Sequence, residues 1–92
     1  MRERVCELIE HVADADRCWR EMEEFTGIPS KRWQNVSRGL QRPTSEMIEA
    51  IGRVWPQFAY WLVTGRTDEA SGHISPTLER RARDLNKIRK AG

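Results

Sequence analysis

The fold of this chain is decided by residues 23–46, which read EEFTGIPSKRWQNVSRGLQRPTSE. Gly27 can adopt the left-handed backbone that ends a helix, and Pro29 suits the first turn of a following helix, where a backbone N–H is not needed. Trp33 and Val36 lie three residues apart, which gives this following helix one inward-facing side. The stretch therefore predicts two short helices joined by a tight turn, with the second crossing the first.

Helical spacing of apolar residues extends upstream of this stretch. It predicts a first helix over about residues 2–13 and a second that reaches Thr26. Between them, residues 14–16 (DAD) supply a break and an N-cap. The apolar positions are Val5, Leu8, Ile9 and Val12 in the first helix and Trp19, Met22 and Phe25 in the second.

Downstream, the third helix ends at Gly39 and two further helices follow. Thr44 can cap a fourth helix, Pro56 breaks it, and Gly65 closes a short fifth helix. The inward-facing residues are Met47, Ile48, Ile51 and Val54 or Trp55 in the fourth helix, and Phe58, Trp61 and Leu62 in the fifth. No segment alternates strictly between apolar and polar residues, so we expect an all-α fold with five compact helices over residues 1–65.

The character of the chain changes after Gly65. Residues 66–75 (RTDEASGHIS) are small and polar, which predicts a loop or linker, and the segment 76–92 predicts a basic C-terminal helix over about residues 76–90. The apolar stripe of that helix is too thin to fold alone. It must therefore dock on the body, pair with another copy, become ordered on DNA or stay frayed.

Charge is distributed unevenly along the 92 residues. Residues 1–24 hold four bases and eight acids, whereas residues 25–66 hold six bases and two acids. Residues 31–42 contain four bases and no acid. The net charge of +2 is therefore a cancellation, and the basic middle raises the expectation of a polyanionic partner.

Length and residue types weigh against other classes of function. A chain of 92 residues predicts one small domain, and charges interrupt every apolar run well before the ~20 residues of a membrane span. Cys6 and Cys18 are too far apart on one helix for a disulfide unless a bend intervenes, so we interpret them as reduced apolar filler. We expect no catalytic residues, no metal and no cofactor.

Residues 18–65 resemble the repressor-type (Cro/C1, Xre-like) helix-turn-helix family of phages and bacteria. The resemblance rests on Gly27-Ile28 at the end of the turn, Gly39 after the third helix, and the segments RPTSE at residues 42–46 and WLVTG at residues 61–65. It implies a lambda-repressor-like helix-turn-helix domain whose third helix reads DNA. The family usually has Gln where this chain has Trp19 and Ala where it has Glu23.

The third helix carries the side chains that such a role requires. Asn and Gln can pair with adenine and Lys or Arg with guanine in the major groove. The resemblance places base contacts at Ser30, Lys31 and Asn35, with Arg32 and Gln34 flanking them, and phosphate contacts at Arg38, Gln41 and Arg42. The phosphate contacts would orient the domain without reading sequence.

One half-site gives a small domain few contacts, so we expect a homodimer on a palindromic operator. The predicted interface residues are Phe58, Tyr60, Leu78, Leu85 and Ile88. Phe58 and Tyr60 cannot both point inward with Trp61, so one of the two is expected to be exposed. The sequence thus predicts a cytoplasmic, nucleoid-associated phage or prophage repressor that acts by occupying its operator.

A second interpretation assigns the same scaffold to protein interaction. The acidic balance of residues 1–24 would suit an antitoxin or inhibitor that binds a basic partner protein. RNA binding is a third and more remote alternative, because no aromatic stacking surface is evident.

Overall fold

The computed structural model describes residues 1–91, with side chains described for residues 1–87. It contains α1 (Arg2–Val12), α2 (Cys18–Thr26), α3 (Ser30–Ser37), α4 (Ser45–Val54), α5 (Ala59–Thr64) and α6 (Pro76–Ala91), with 3₁₀ turns at Pro56–Phe58 and Glu69–Ser71. The described part of the chain has no strand, and a single bridge joins Asp68 to His73. The all-α prediction is confirmed.

Most helix ends follow from single residues, as the sequence predicts. Gly27 and Gly65 adopt φ values of 77° and 75° after α2 and α5, where a side chain would strain the backbone. The Thr44 hydroxyl accepts a hydrogen bond from the Met47 N–H at 3.2 Å and so caps α4. Pro29 stands one position earlier than predicted, as the residue that precedes α3.

The predicted N-cap at residues 14–16 is not formed. The Asp14 carboxylate accepts the Asp16 N–H at 2.9 Å, which closes a local turn, and Arg17 precedes α2 without a side-chain cap. The turn makes the bend that brings α2 back along α1. As a result Cys6 and Cys18, both free and half-buried, line one cleft of about 280 Å³.

The core is formed where α1 to α5 meet. Trp33 is its largest fully buried side chain, and its Nε1–H donates to the Thr26 hydroxyl at 3.3 Å. Ala50 completes the buried face of α4, while Val54 and Trp55 are only half-buried. The buried apolar residues are Val5, Leu8, Ile9, Met22, Ile28, Trp33, Val36, Met47, Ala50, Ile51, Phe58, Trp61 and Leu62.

The segment over residues 66–75, predicted as a loop or linker, forms a turn that is attached to the body. Asp68 and His73 exchange two backbone hydrogen bonds of 2.8 and 2.9 Å. The Ile74 N–H then donates to the Gln57 carbonyl at 3.0 Å, and His73 packs against the Tyr60 ring. These contacts fix the place at which α6 begins.

The first turns of α6 dock on α1, which is one of the four outcomes left open by the sequence. His11 is buried, with 3% of its side chain exposed, and its Nε2 lies 2.8 Å from Glu79 Oε1. The Thr77 hydroxyl donates to Glu7 at 3.2 Å. Residues 80–87 are all exposed, so the described remainder of the helix lies away from the body.

Candidate nucleic-acid interface

The side of α3 that faces away from the core carries four polar residues. Because Trp33 and Val36 are fully buried, the helical period places Lys31, Gln34, Asn35 and Arg38 on the opposite side. We call these four residues the outer face. Lys31 and Arg38 are exposed, and Gln34 and Asn35 are partly exposed. The outer face therefore combines both amides that were predicted to read bases, Gln34 and Asn35, with the cations Lys31 and Arg38.

Arg32 is a predicted base-reading residue that lies beside the outer face, on the flank next to α4. Its Nη1 is 3.0 Å from the Glu46 carboxylate in the first turn of α4. Both side chains are substantially exposed, and exposed ion pairs of this kind contribute about 0–1 kcal/mol. The contact thus directs the Arg32 side chain toward α4, and breaking the ion pair costs little free energy.

Ser30 is not part of the outer face, because its polar groups are turned toward α2. Its hydroxyl lies 3.1 Å from the Trp19 carbonyl and 3.3 Å from the Glu23 carboxylate. Its N–H donates to Glu23 at 2.7 Å. Ser30 therefore helps to join the two helices, and its hydroxyl is turned toward α2 and not toward the outer face.

Glu23 and Arg2 hold α3 at its two ends, and sequence reasoning found neither role. Glu23 accepts the first N–H of α3, as described for Ser30. At the other end Arg2 donates from Nε to the Val36 carbonyl at 3.0 Å and from Nη2 to the Ser37 carbonyl at 2.9 Å. An anion at the N-terminus and a cation at the C-terminus both oppose the charges of the helix dipole. For Glu23 the sequence held a signal, because the family usually has Ala at this position. For Arg2 it held none, because the Val36 and Ser37 carbonyls lie more than thirty residues away in the chain.

The loop after α3 is fixed by a Schellman-type helix end. Gly39 has φ 77°, its N–H donates to the Val36 carbonyl at 3.1 Å, and the Leu40 N–H donates to the Asn35 carbonyl at 2.8 Å. The loop carries two of the predicted phosphate-contacting residues, Gln41 and Arg42, the first partly exposed and the second exposed. The turn therefore holds them at a set position next to the outer face.

The predicted dimer residues have different surroundings. Phe58 is fully buried inside the monomer, so it has no surface to offer a second copy, and its assignment to the interface is wrong. Tyr60 is the exposed member of the pair, with 38% of its surface accessible, and Leu85 is 57% exposed. Leu78 is half-buried at the base of α6, and the side chain of Ile88 lies outside the described residues.

Two further findings bound the chemistry of the described residues. No three His, Cys, Asp or Glu side chains of this part of the chain come together in a way that could hold a metal ion. None of its helices is both long and apolar enough to cross a membrane.

In comparisons with known proteins, no family model, curated protein or solved structure matches the chain.

Proposed function

We propose that this chain is a sequence-specific double-stranded DNA-binding regulator of transcription, built as a repressor-like helix-turn-helix domain. The observation that carries the proposal is the state of α3. This helix is anchored by the buried Trp33 and Val36, held at both ends, and open along an outer face of cations and amides. A helix fits the major groove, and amides and cations are the groups that read base edges there.

Each part of the surface has a different task in this proposal. Asn35 and Gln34 pair with adenine through their amides, and Lys31 bonds guanine, each good pair contributing ~1–3 kcal/mol of discrimination. Arg38 and Arg42 bind phosphates, which orients the domain and makes binding depend on salt. Gln41 supports them from the same loop.

The proposal includes a homodimer that represses by occupying its operator. A single α3 contacts one half-site, and a two-fold dimer doubles those contacts on major-groove faces about 34 Å apart. Tyr60 on α5 and Leu85 on α6 support this part, because both are large apolar side chains exposed on the monomer. The operator would then be palindromic.

The test is selection of bound duplexes from a random pool, followed by titration of the selected duplex and of a scrambled one. Asn35→Ala should reduce the preference for the selected duplex by roughly tenfold or more, since it removes a bidentate base contact. Arg42→Ala should weaken binding to both duplexes alike. Arg53→Ala, which removes an exposed cation from α4 instead, is the matched control and should change neither.

Failure to select any DNA would contradict the proposal. A stable, stoichiometric protein partner with no retention on DNA at ~0.1 M salt would instead favour the interaction-module interpretation. That interpretation has less support, because several of the N-terminal acidic side chains already have partners within the chain. Glu7 contacts Thr77, Glu21 accepts the Asp14 N–H, and Glu23 holds α3.

A further inference from the structure

Leu40 is the most exposed large apolar residue among those that the structure describes, with 71% of its surface accessible. It lies in the acid-free segment over residues 31–42, directly after the Schellman turn that ends α3. Scattered exposed apolar residues are ordinary on protein surfaces, so exposure alone assigns nothing to Leu40. Its position in the turn is what separates it from the others.

A Schellman turn usually hides the side chain at this position. The residue after the left-handed glycine commonly packs on an apolar residue in the last turn of the helix, at the third or fourth position before the cap. In this chain those positions hold Asn35 and Gln34, which are two members of the outer face. The two positions that would usually cover Leu40 therefore hold amides and not an apolar partner, and the Leu40 side chain stays exposed.

The backbone fixes Leu40 in this place. Its N–H donates to the Asn35 carbonyl at 2.8 Å, which ties the two residues together. Gly39 has a φ of 77°, which favours glycine, and it lies next to the Arg2 guanidinium. Pro43 follows three residues later and restricts the end of the loop. An apolar group is thus held beside Asn35 at the edge of the outer face.

We propose that Leu40 contacts the 5-methyl group of a thymine close to the adenine that Asn35 reads. This inference rests on the proposed DNA-binding function and adds a sequence determinant to it. The thymine methyl is the apolar group that bases present in the major groove, and apolar side chains recognise it there. Burying one such group corresponds to about a fourfold gain in affinity. Each half-site should therefore contain an adenine and a thymine within reach of these two neighbouring side chains.

The experiment replaces thymines by deoxyuridine, one position at a time, in the duplex that the full chain selects. Deoxyuridine keeps every hydrogen-bonding group and removes the methyl alone. We expect one position per half-site at which this change weakens wild-type binding about fourfold. Leu40→Ala should weaken binding to the thymine duplex by a similar factor and show no further loss with deoxyuridine at that position. Leu40→Met, which keeps an apolar side chain, should retain the discrimination.

Arg42→Ala is the control for a general loss of affinity, since it should weaken both duplexes and preserve the thymine-to-deoxyuridine ratio. Circular dichroism checks that the Leu40 variants fold, as an exposed position should allow. Specific binding in which no position distinguishes wild type from Leu40→Ala would overturn the role of Leu40 and leave the proposed function standing. A chain that selects no DNA would overturn both.

Discussion

The helices α3 and α6 are both rich in cations, yet the structure treats them differently. α3 has eight residues, two of which are completely buried, and charged side chains from α1 and α2 hold its ends. α6 has sixteen residues, and its contacts with the body lie near its beginning, at Thr77 and Glu79. Basic composition alone therefore does not identify a reading helix, because reading bases requires side chains held in a fixed place.

The difference also separates two ways of fixing a helix. α3 is fixed by apolar burial along its length, with charge at its ends, whereas α6 is fixed only over its first turns, by the buried Pro76 and by polar contacts at Thr77 and Glu79. Substitutions in the two helices should consequently affect different properties.

Removing the apolar anchor of α3 should have the largest effect. Trp33→Ala removes a fully buried side chain and is expected to lower the free energy of unfolding by about 3–5 kcal/mol, which urea unfolding followed by circular dichroism would measure. Trp55→Ala, at a half-buried tryptophan, is the matched control and should lower the free energy of unfolding clearly less. Equal losses would mean that α3 is not anchored as described.

Removing the buried histidine should release α6 and leave α3 in place. His11→Ala removes the buried one of the two partners of the Glu79 carboxylate and is expected to destabilise the chain by about 1–3 kcal/mol. Hydrogen exchange should show loss of protection at residues 77–79 with little change in α3. Arg83→Ala, which removes an exposed partner of the same carboxylate, should have a smaller effect. Comparable deprotection of both helices would show that they are not independent.

Removing the cation at the end of α3 should loosen that end selectively. Arg2→Ala takes away two hydrogen bonds to the last carbonyls of α3, and we expect a loss of about 1 kcal/mol together with weaker DNA binding. Arg4→Ala is a close control, because Arg4 donates to the Leu62 carbonyl of α5 at 2.8 Å. The control should cost similar stability without faster exchange in α3, and the reverse pattern would contradict the assignment.

Neutralising the anion at the start of α3 should separate stability from binding. Glu23→Gln is expected to reduce stability by about 0.3–1 kcal/mol, because the anion opposes the positive end of the helix dipole. DNA affinity should rise at the same time, since a negative charge next to the proposed reading helix repels phosphates. Glu24→Gln, which changes a neighbouring carboxylate paired with Arg20, is the control. A fall in affinity for Glu23→Gln would argue that the carboxylate positions α3 in a way that binding requires.

The sequence was sufficient for the helices and for the inward faces of most of them. Gly27, Gly65 and Thr44 act locally, through backbone conformation or one short hydrogen bond, so their effects can be read without the fold. Trp33 and Val36 could be assigned to the core because a helix face follows from spacing alone. Spacing also placed Phe58 on the inward face, which the structure confirms, so the error there lay in its second assignment, to the dimer interface. Spacing does not reveal which hydroxyl a neighbouring carboxylate holds, as Glu23 holds that of Ser30.

The set of helices, most of their ends and the acid-free polar side of α3 can therefore be read from the sequence alone. Only the tertiary structure decided which of those polar groups remain available. It turned Ser30 toward α2 and Arg32 toward α4, and it placed Arg2 and Glu23 at the ends of α3. Caps and helical periodicity act between residues that are close in sequence. The contacts above instead join groups whose distance in space cannot be read from their separation in sequence.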